Sequence, residues 1–205
     1  LNKLTRNAIT GNIRAVYNFS KDLSLQVRGS LDMSYEQRSQ QRPWDAGTKM
    51  PKGSYRAQNI FSMEQTTDFL LNYKKKFSSD FNLSASLGGS ALRNRYNRDE
   101  TRADSLVYPG VYSFANSAAV LGSYPWKSQY NINSFYGMVN AGYKDYLYLD
   151  LTGREDWNSV LATPVRTDNS GFFYSSADVS FVLSSAFKLP AYISFAKLRF
   201  SASQV

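Results

Sequence analysis

The stretch LSLQVRGSLDMSYE, residues 23–36, decides the fold class of this chain. Apolar residues and one glycine take every second position from Leu23 to Tyr35, and polar residues take the positions between them. Because side chains alternate across a strand, the stretch predicts one strand with an apolar face and a polar face. It would extend roughly 46 Å at about 3.3 Å per residue, whereas strands of soluble domains commonly have about five or six residues. A strand crossing a bilayer needs about 9–11 residues for the hydrocarbon alone.

The same alternation recurs in further segments, and no helical period competes with it over a comparable length. These segments lie at 9–19, 63–73, 81–91, 135–143, 147–154, 173–183 and 196–202. The sequence therefore predicts an all-β, antiparallel, up-and-down sheet of about eight strands.

The connections between the segments fall into two sorts that alternate along the chain. Short ones are FSKD at 19–22, KKFSSD at 75–80 and KD at 144–145, while a longer one, 184–195, is expected to hold a helical turn after Ser184. Long polar stretches occupy 37–59, 97–132 and 157–171. Short turns at one end and long loops at the other are typical of an outer-membrane barrel. The sequence thus predicts part of a transmembrane β-barrel.

A membrane would give the two faces of each strand different surroundings. We expect one face of residues 23–33 to contact lipid through Leu23, Leu25, Val27, Leu31 and Met33. The other face would line a wet lumen with Ser24, Gln26, Arg28, Ser30 and Asp32. Aromatic residues would form girdles at both membrane interfaces. Those beside the short turns are Tyr17, Phe19, Tyr73, Phe77, Phe81, Tyr143, Tyr146 and Phe187, and those near the loops are Tyr35 and Phe173.

Composition excludes several classes of protein. The 205 residues include neither His nor Cys, and no apolar run approaches the roughly 18 residues of a membrane helix. The net charge of +8 comes from scattered basic residues, and the run Lys74-Lys75-Lys76 lies at a predicted turn without interleaved aromatics, so we expect no nucleic-acid partner. The chain starts without Met and stops within an alternating segment, from which we expect a piece of a longer protein.

Several stretches in the second half of the chain resemble a known protein family. The stretch LVYPGVYSFANS at 106–117 is followed by YGMVNAGYKDYLYLDLTGREDWNSVL, FFYSSADVSFVLSSAFKLP and FAKLRFSASQV. In order and spacing these resemble the barrel of the SusC/RagA class of TonB-dependent outer-membrane transporters. The resemblance covers most of residues 64–205, and residues 1–63 fit the architecture with little motif.

The motif residues match the family pattern one by one. An Arg-x-Asp-Trp turn is matched by Arg154, Asp156, Trp157 and Ser159, a Tyr-Phe-Tyr-Pro-Ser segment by Phe173, Tyr174 and Ser176, and a Lys-x-Arg-x-Ser strand by Lys197, Arg199 and Ser201. Three positions depart from the pattern, namely Asn158 for serine, Ser175 for proline and Ser185 for an acidic residue. We expect Arg154, Asp156, Trp157, Lys197 and Arg199 to be structural, with Trp157 fixing a loop.

The resemblance implies a 22-stranded barrel closed by a plug domain, of which residues 1–205 would all belong to the barrel wall, without the plug. It implies a protein of the Gram-negative outer membrane that crosses it many times and imports oligosaccharides, or in some members peptides. The implied partners are membrane lipid, a SusD-like surface lipoprotein that acts as a lid, and TonB, which would act through a segment not contained in this stretch.

The sequence does not predict an enzyme. Without His or Cys there is no histidine-based triad, thiolate or His-based metal site. The acidic residues lack the spacing of a paired acid and base, so we expect no catalytic residue, no metal and no cofactor.

Substrate contacts are expected in the long loops, because flat aromatic rings beside amide and charged groups suit sugars. The candidates are Trp44, Tyr108, Tyr112, Tyr124 and Trp126. The alternative is that these rings pack the loops against one another or against a lid protein. A different function also stays open, namely a soluble, secreted β-sandwich or adhesion module whose loops bind glycan.

Overall fold

The computed structural model describes residues 1–45, 48, 50–166, 170–190 and 192–204. Within these residues the fold is all-β and antiparallel, as predicted. The strands are β1 (Asn2–Asn18), β2 (Leu23–Arg42), β3 (Ser54–Lys76), β4 (Phe81–Ala103), β5 (Gly122–Ser123), β6 (Trp126–Tyr143), β7 (Leu147–Asn158), β8 (Gly171–Val182) and β9 (Lys197–Gln204). No described helix has the length and apolar character needed to span a bilayer.

The strands pair in the order of the sequence. The sheet runs β1-β2-β3-β4-β6-β7-β8-β9, and the short strand β5 pairs with β4 through Thr101–Ser123 and Arg102–Gly122. Each predicted strand is therefore present, next to its neighbour in the chain. The predicted helical turn after Ser184 corresponds to helix α1, Leu183–Ala186.

Strands β3 and β4 are longer than predicted, and the predicted loops 37–59 and 97–132 are correspondingly too long. Strand β2 continues to Arg42, β3 begins at Ser54, and β4 continues to Ala103. Residues 93–103 are mostly polar at both odd and even positions, so they lack the apolar alternation that reveals a strand. Their backbone nevertheless continues the ladder.

The first two short turns share one construction. In 19–22 the Ser20 hydroxyl accepts hydrogen bonds from the amides of Asp22 and Leu23, and in 77–80 the Ser78 hydroxyl does the same for Asp80 and Phe81. This is the local side chain to backbone bonding that favours serine in turns. The sequence signature of both turns is Phe-Ser-x-Asp.

The turn between β6 and β7 is shorter and more strained. It comprises residues 144–146, and Lys144 and Asp145 have φ angles of 51° and 56°. Positive φ is uncommon for residues other than glycine. Beyond the turn the register pairs Tyr143 with Leu147 and places Gly137 opposite Gly153.

The chain divides into two compact units, each of which contains parts of several strands. The first comprises Leu1–Gly11, Ser30–Gln65 and Arg93–Tyr130, and the second comprises Asn12–Gly29, Thr66–Leu92 and Asn131–Val205. Among the described residues, the buried apolar side chains of the first unit are Ile60, Ala103 and Leu106, and that of the second is Val182. Neither unit has a large apolar core, because most large apolar side chains lie on an exposed sheet face.

The polar positions of neighbouring strands lie on the same face of the sheet and bond to one another. In the first unit Arg6 pairs with Glu36 and Asn94 donates to Glu64. Further pairs in the second unit are Arg28–Asp68, Ser86–Asn72, Asn140–Asp150 and Thr152–Ser176. We call the face that carries these pairs the polar face. The side chains of these pairs are thus satisfied by cross-strand partners.

Candidate functional site

A buried carboxylate on β4 organises the most densely charged part of the first unit. The Glu100 side chain has no exposed surface and accepts hydrogen bonds from Arg56, Gln58 and Arg102. The Arg56 Nη2 to Glu100 Oε2 distance is 2.6 Å, and Arg98 Nε lies 3.8 Å from the same oxygen. Three guanidinium groups therefore surround one carboxylate.

The polar face supplies all members of this cluster because strand positions two apart lie on the same side. Arg98, Glu100 and Arg102 are successive even positions of β4, and Arg56 and Gln58 are successive even positions of β3. The Glu100 carboxylate is hidden from solvent, whereas the three arginines around it are partly exposed. The Arg56, Arg98 and Arg102 side chains are 32%, 34% and 33% exposed.

A groove of about 460 Å³ lies beside the cluster within the first unit. It is lined by Asn2, Lys3, Leu4, Arg38, Ser39, Gln40, Arg56, Gln58 and Arg98. The lining combines guanidinium and carboxamide groups. Arg38, in turn, pairs with Glu36, which is largely shielded from solvent. We call this pocket the arginine groove.

One predicted substrate residue, Tyr124, adjoins the same cluster. Its backbone amide donates to the Glu100 carbonyl oxygen at 2.8 Å, and the Arg102 guanidinium lies 4.4 Å from the centre of its ring. A guanidinium at this distance is attracted to the face of the ring. Tyr124 is 45% exposed and has one face committed to Arg102.

The sequence predicted Trp126 to lie in a loop, but the structure places it at the first position of β6. Its side chain is 58% exposed. Pro125 separates it from β5, so the chain leaves one ladder and starts another at this point. The ring of Trp126 is therefore presented from a strand end.

The loop 104–121 is ordered by a buried asparagine. The Asn116 side chain donates to the carbonyl oxygens of Tyr108 and Val111, and its Oδ1 atom accepts from the Tyr108 amide. Leu106, which is fully buried, donates its amide to the Lys52 carbonyl oxygen. Thus Asn116 holds the loop together, and the Leu106 bond ties it to the connection before β3.

The other predicted loop aromatics occupy different surroundings. Tyr108 is 67% exposed, and Tyr112 is half-buried. Trp44 is also half-buried, and its Nε1 atom is buried without a hydrogen-bond partner among the described residues. The structure therefore leaves Tyr108 more exposed than Tyr112 and Trp44.

The residues of the Arg-x-Asp-Trp motif make local contacts in the second unit. Arg154 Nε donates to Asp156 Oδ1 at 2.8 Å, and its Nη2 atom donates to the Ser134 hydroxyl on β6. Trp157 pairs with Gly171 across β7 and β8, and a side chain at Gly171 would meet the indole ring. These contacts agree with the structural role that the sequence predicted, which remains a prediction.

The start of the connection 159–170 is fixed by the next two motif residues. Asn158 Oδ1 accepts from the Val160 amide at 3.0 Å, so this asparagine caps the short helical turn that follows it. The Ser159 hydroxyl accepts from the Asn131 amide on β6 at 2.8 Å.

The two motif residues on β9 lie on the polar face of the second unit. Arg199 Nη2 is 3.3 Å from Asp178 Oδ1, which also accepts from the Ser201 hydroxyl. Lys197 Nζ lies 6.0 Å from the centre of the Tyr148 ring. Both residues join β9 to the neighbouring strands.

Sequence reasoning missed the Glu100 cluster. The available signal was the triplet of even positions Arg98, Glu100 and Arg102, but it lay in a stretch assigned to a loop. Without strand assignment, alternation could not place the three side chains on one face. In the part of the chain that the structure describes, no group of three or more acidic side chains could hold a metal ion.

Comparison with solved structures identifies the fold as that of part of an antiparallel barrel wall. The particular structures are those of RagAB, described as a peptide transporter. The chain matches the RagAB peptide transporter with a TM-score of 0.82 and 15% identity, covering 98% of this chain and 23% of that one. It matches the RagAB peptide importer in its open-open and closed-closed states with TM-scores of 0.76 and 0.77 and 17% identity, covering 98% of this chain.

The matches cover 22% and 23% of those two importer chains, so this chain spans less than a quarter of the proteins it resembles. The expected resemblance to the SusC/RagA class is confirmed at the level of the fold. These structures are of transporters, and the prediction that this chain is not an enzyme stays a prediction. No family profile matches the sequence, and neither does any curated protein.

Proposed function

We propose that this chain forms part of the wall and loops of an outer-membrane transporter that imports large nutrients. The observation that carries the proposal is the match of 98% of the chain to part of the RagAB peptide transporter. The alternation of short turns and long connections supports it, because outer-membrane barrels sort their connections in this way. All of residues 1–205 would belong to the barrel, and a plug domain would be supplied by another part of the protein.

The two faces of the strands support a membrane location. In the second unit the polar face carries cross-strand pairs such as Arg28–Asp68, while the opposite positions of β2 include Leu23, Leu25 and Val27. A face of paired polar side chains is suited to a water-filled lumen. A row of apolar side chains on an open sheet needs apolar surroundings. The apolar face would contact lipid.

The substrate and partners follow from the same proposal. RagAB is described as a peptide transporter, so peptides are the first substrates to test, with oligosaccharides as the second class. A SusD-like lipoprotein would cover the long connections, and TonB would act through another segment of the full-length protein. Tyr108 and Trp126, both more than half exposed, are available to either a substrate or a lid.

A soluble β-sandwich or adhesion module is the second candidate, but no observation favours it. A sandwich buries one face of each sheet against another sheet. Here Phe69, Phe135 and Leu151 on the apolar face are 36% or more exposed. An open apolar sheet face of this kind does not fit a folded sandwich.

Deletion of the gene in the native bacterium tests the function. We expect loss of growth on a peptide mixture or on an oligosaccharide as the limiting nutrient, with normal growth on free amino acids and glucose. The full-length protein should fractionate with the outer membrane and require detergent for extraction. Normal growth on all peptide and oligosaccharide sources, or recovery of the protein in the soluble fraction, would contradict the proposal.

A further inference from the structure

We propose that the arginine groove binds a carboxylate group of the imported substrate, an inference that rests on the proposed function. The groove places Arg38, Arg56 and Arg98 beside the carboxamides of Gln40 and Gln58. Two chemical sources would supply such a carboxylate: the C-terminus or acidic side chain of a peptide, or a uronic acid of an oligosaccharide.

The charge balance of the cluster favours an anionic ligand. Glu100 offsets one of the three positive charges of Arg56, Arg98 and Arg102, which leaves an excess of two. The carboxylate has no exposed surface, whereas about a third of each guanidinium is exposed. Solvent in the groove therefore contacts the positively charged guanidinium groups, whereas the Glu100 carboxylate that pairs with them is hidden.

Arg98 has the donors that a ligand requires. Its contact with Glu100 is an ion pair at 3.8 Å, which is too long for a hydrogen bond. Among the described residues, no hydrogen bond engages its terminal nitrogens, and its Nε atom is buried without a partner. A planar guanidinium with its terminal N–H groups available binds a carboxylate through two parallel hydrogen bonds.

The groups beside Arg98 are themselves fixed. Arg56 and Arg102 are each fixed by a short hydrogen bond to Glu100. Arg56, which lines the groove together with Arg98, thus presents a fixed positive charge, against which a ligand carboxylate loses little freedom on binding. Gln58, bonded to Glu100 as well, lines the groove beside it. Glu100 is a positioning residue here, since it acts through the arginines.

The test uses the purified full-length transporter in detergent and four probes. These are a neutral hexapeptide with a free C-terminus, the same peptide amidated, an oligogalacturonide, and its carboxyl-reduced neutral form. We expect the carboxylate form of one pair to bind at least about tenfold more tightly than its neutral form, as a charge-assisted hydrogen bond contributes. The pair that shows the difference identifies the source of the carboxylate.

The matched variants are Arg98→Gln and Arg95→Gln. Arg95 lies on the same strand at an odd position, on the opposite face, and is exposed. We expect Arg98→Gln to abolish the preference for the carboxylate form, and Arg95→Gln to keep it. Arg98→Lys should retain part of it. Circular dichroism and heat-modifiable migration on a gel establish that each variant is folded, and Arg38→Gln provides a second groove variant.

The outcomes separate the two proposals. The carboxylate site would be overturned if the transporter bound the carboxylate and neutral forms of both probe pairs with equal affinity. It would also be overturned if Arg98→Gln and Arg95→Gln had equal effects on binding. Either result would leave the import function standing. Failure of the unmodified transporter to bind any probe, combined with normal growth of the deletion strain on peptides and oligosaccharides, would overturn both.

Discussion

Arg28 on β2 and Asp68 on β3 form an ion pair in which Arg28 Nε lies 2.8 Å from Asp68 Oδ2. The pair is asymmetric in burial, because Arg28 is half-exposed while the Asp68 side chain is 7% exposed. Removing the arginine leaves a carboxylate shielded from water, whereas neutralising the aspartate leaves an arginine that water can solvate.

The asymmetry predicts unequal costs of the two single substitutions. We expect Arg28→Gln to lower the free energy of unfolding by about 1–3 kcal/mol, the range for an unsatisfied buried group. Asp68→Asn should cost less, because the amide oxygen still accepts from Arg28. Urea unfolding of the full-length protein in lipid vesicles measures both. The double variant should cost less than the sum of the singles, and strict additivity would show that the pair is not coupled.

The two faces of β2 should differ in their tolerance of charge. We expect Leu25→Arg to cost roughly 2–4 kcal/mol if the position lies near the bilayer midplane, because it places a cation in lipid. The matched control is Gln26→Arg, at the next position on the polar face, which should cost little. Folding into vesicles compares the two, and equal costs would reject the assignment of the faces.

Loss of the buried Glu100 carboxylate should disrupt the first unit. In Glu100→Gln three clustered arginines, each about a third exposed, lose their shared counter-ion and hydrogen-bond acceptor, which we expect to cost about 1–3 kcal/mol. Glu36→Gln is the control and should cost less, because its partner Arg38 is 47% exposed and stays solvated when Glu36 is neutralised. Unfolding midpoints in urea test the difference. A Glu100→Gln protein as stable as the Glu36→Gln protein would contradict the cluster's structural importance.

Asn116 should determine whether the loop 104–121 stays ordered. Its side chain makes three hydrogen bonds to the loop backbone and is 7% exposed, so Asn116→Ala should raise the rate of proteolysis within the loop by an order of magnitude or more. Ser113→Ala serves as the control, since Ser113 makes no capping hydrogen bond in the same loop. Proteolysis of intact cells displaying the protein gives the rates, and equal rates would exclude the role.

Trp126→Ala tests whether the strand-end ring contacts substrate. We expect weaker uptake with unchanged surface abundance, because more than half of the side chain is exposed and its removal leaves the backbone ladder in place. Val120→Ala, which alters an almost fully exposed residue before β5, should change neither quantity. Uptake of a labelled nutrient is measured beside antibody detection at the surface. Reduced abundance would indicate that Trp126 packs the protein instead.

The sequence predicted the eight long strands and their order because one apolar face repeats along each of them. It did not predict where β3 begins or where β4 ends, since residues such as Arg93 and Arg95 on β4 leave no apolar face to detect. Strand β5 was not predicted, because its two residues are too few to show an alternation of apolar and polar positions. The aromatic candidates were chosen from their place in the long polar stretches and stay predictions, whereas Glu100 required the pairing of β3 with β4, which is long-range information.

The turn 144–146 sets a constraint on how this chain can change in length. Its two residues with positive φ angles hold the register that pairs Tyr143 with Leu147. One added residue that shifted this register would turn every later side chain of β7 over, carrying Arg154 and Asp156 to the apolar face. Insertions that shift the register of this turn are therefore tolerated only in steps of two, whereas an insertion among the exposed residues 118–121 leaves that register unchanged. Inherited variation in length should therefore be rarer in this turn than in 104–121.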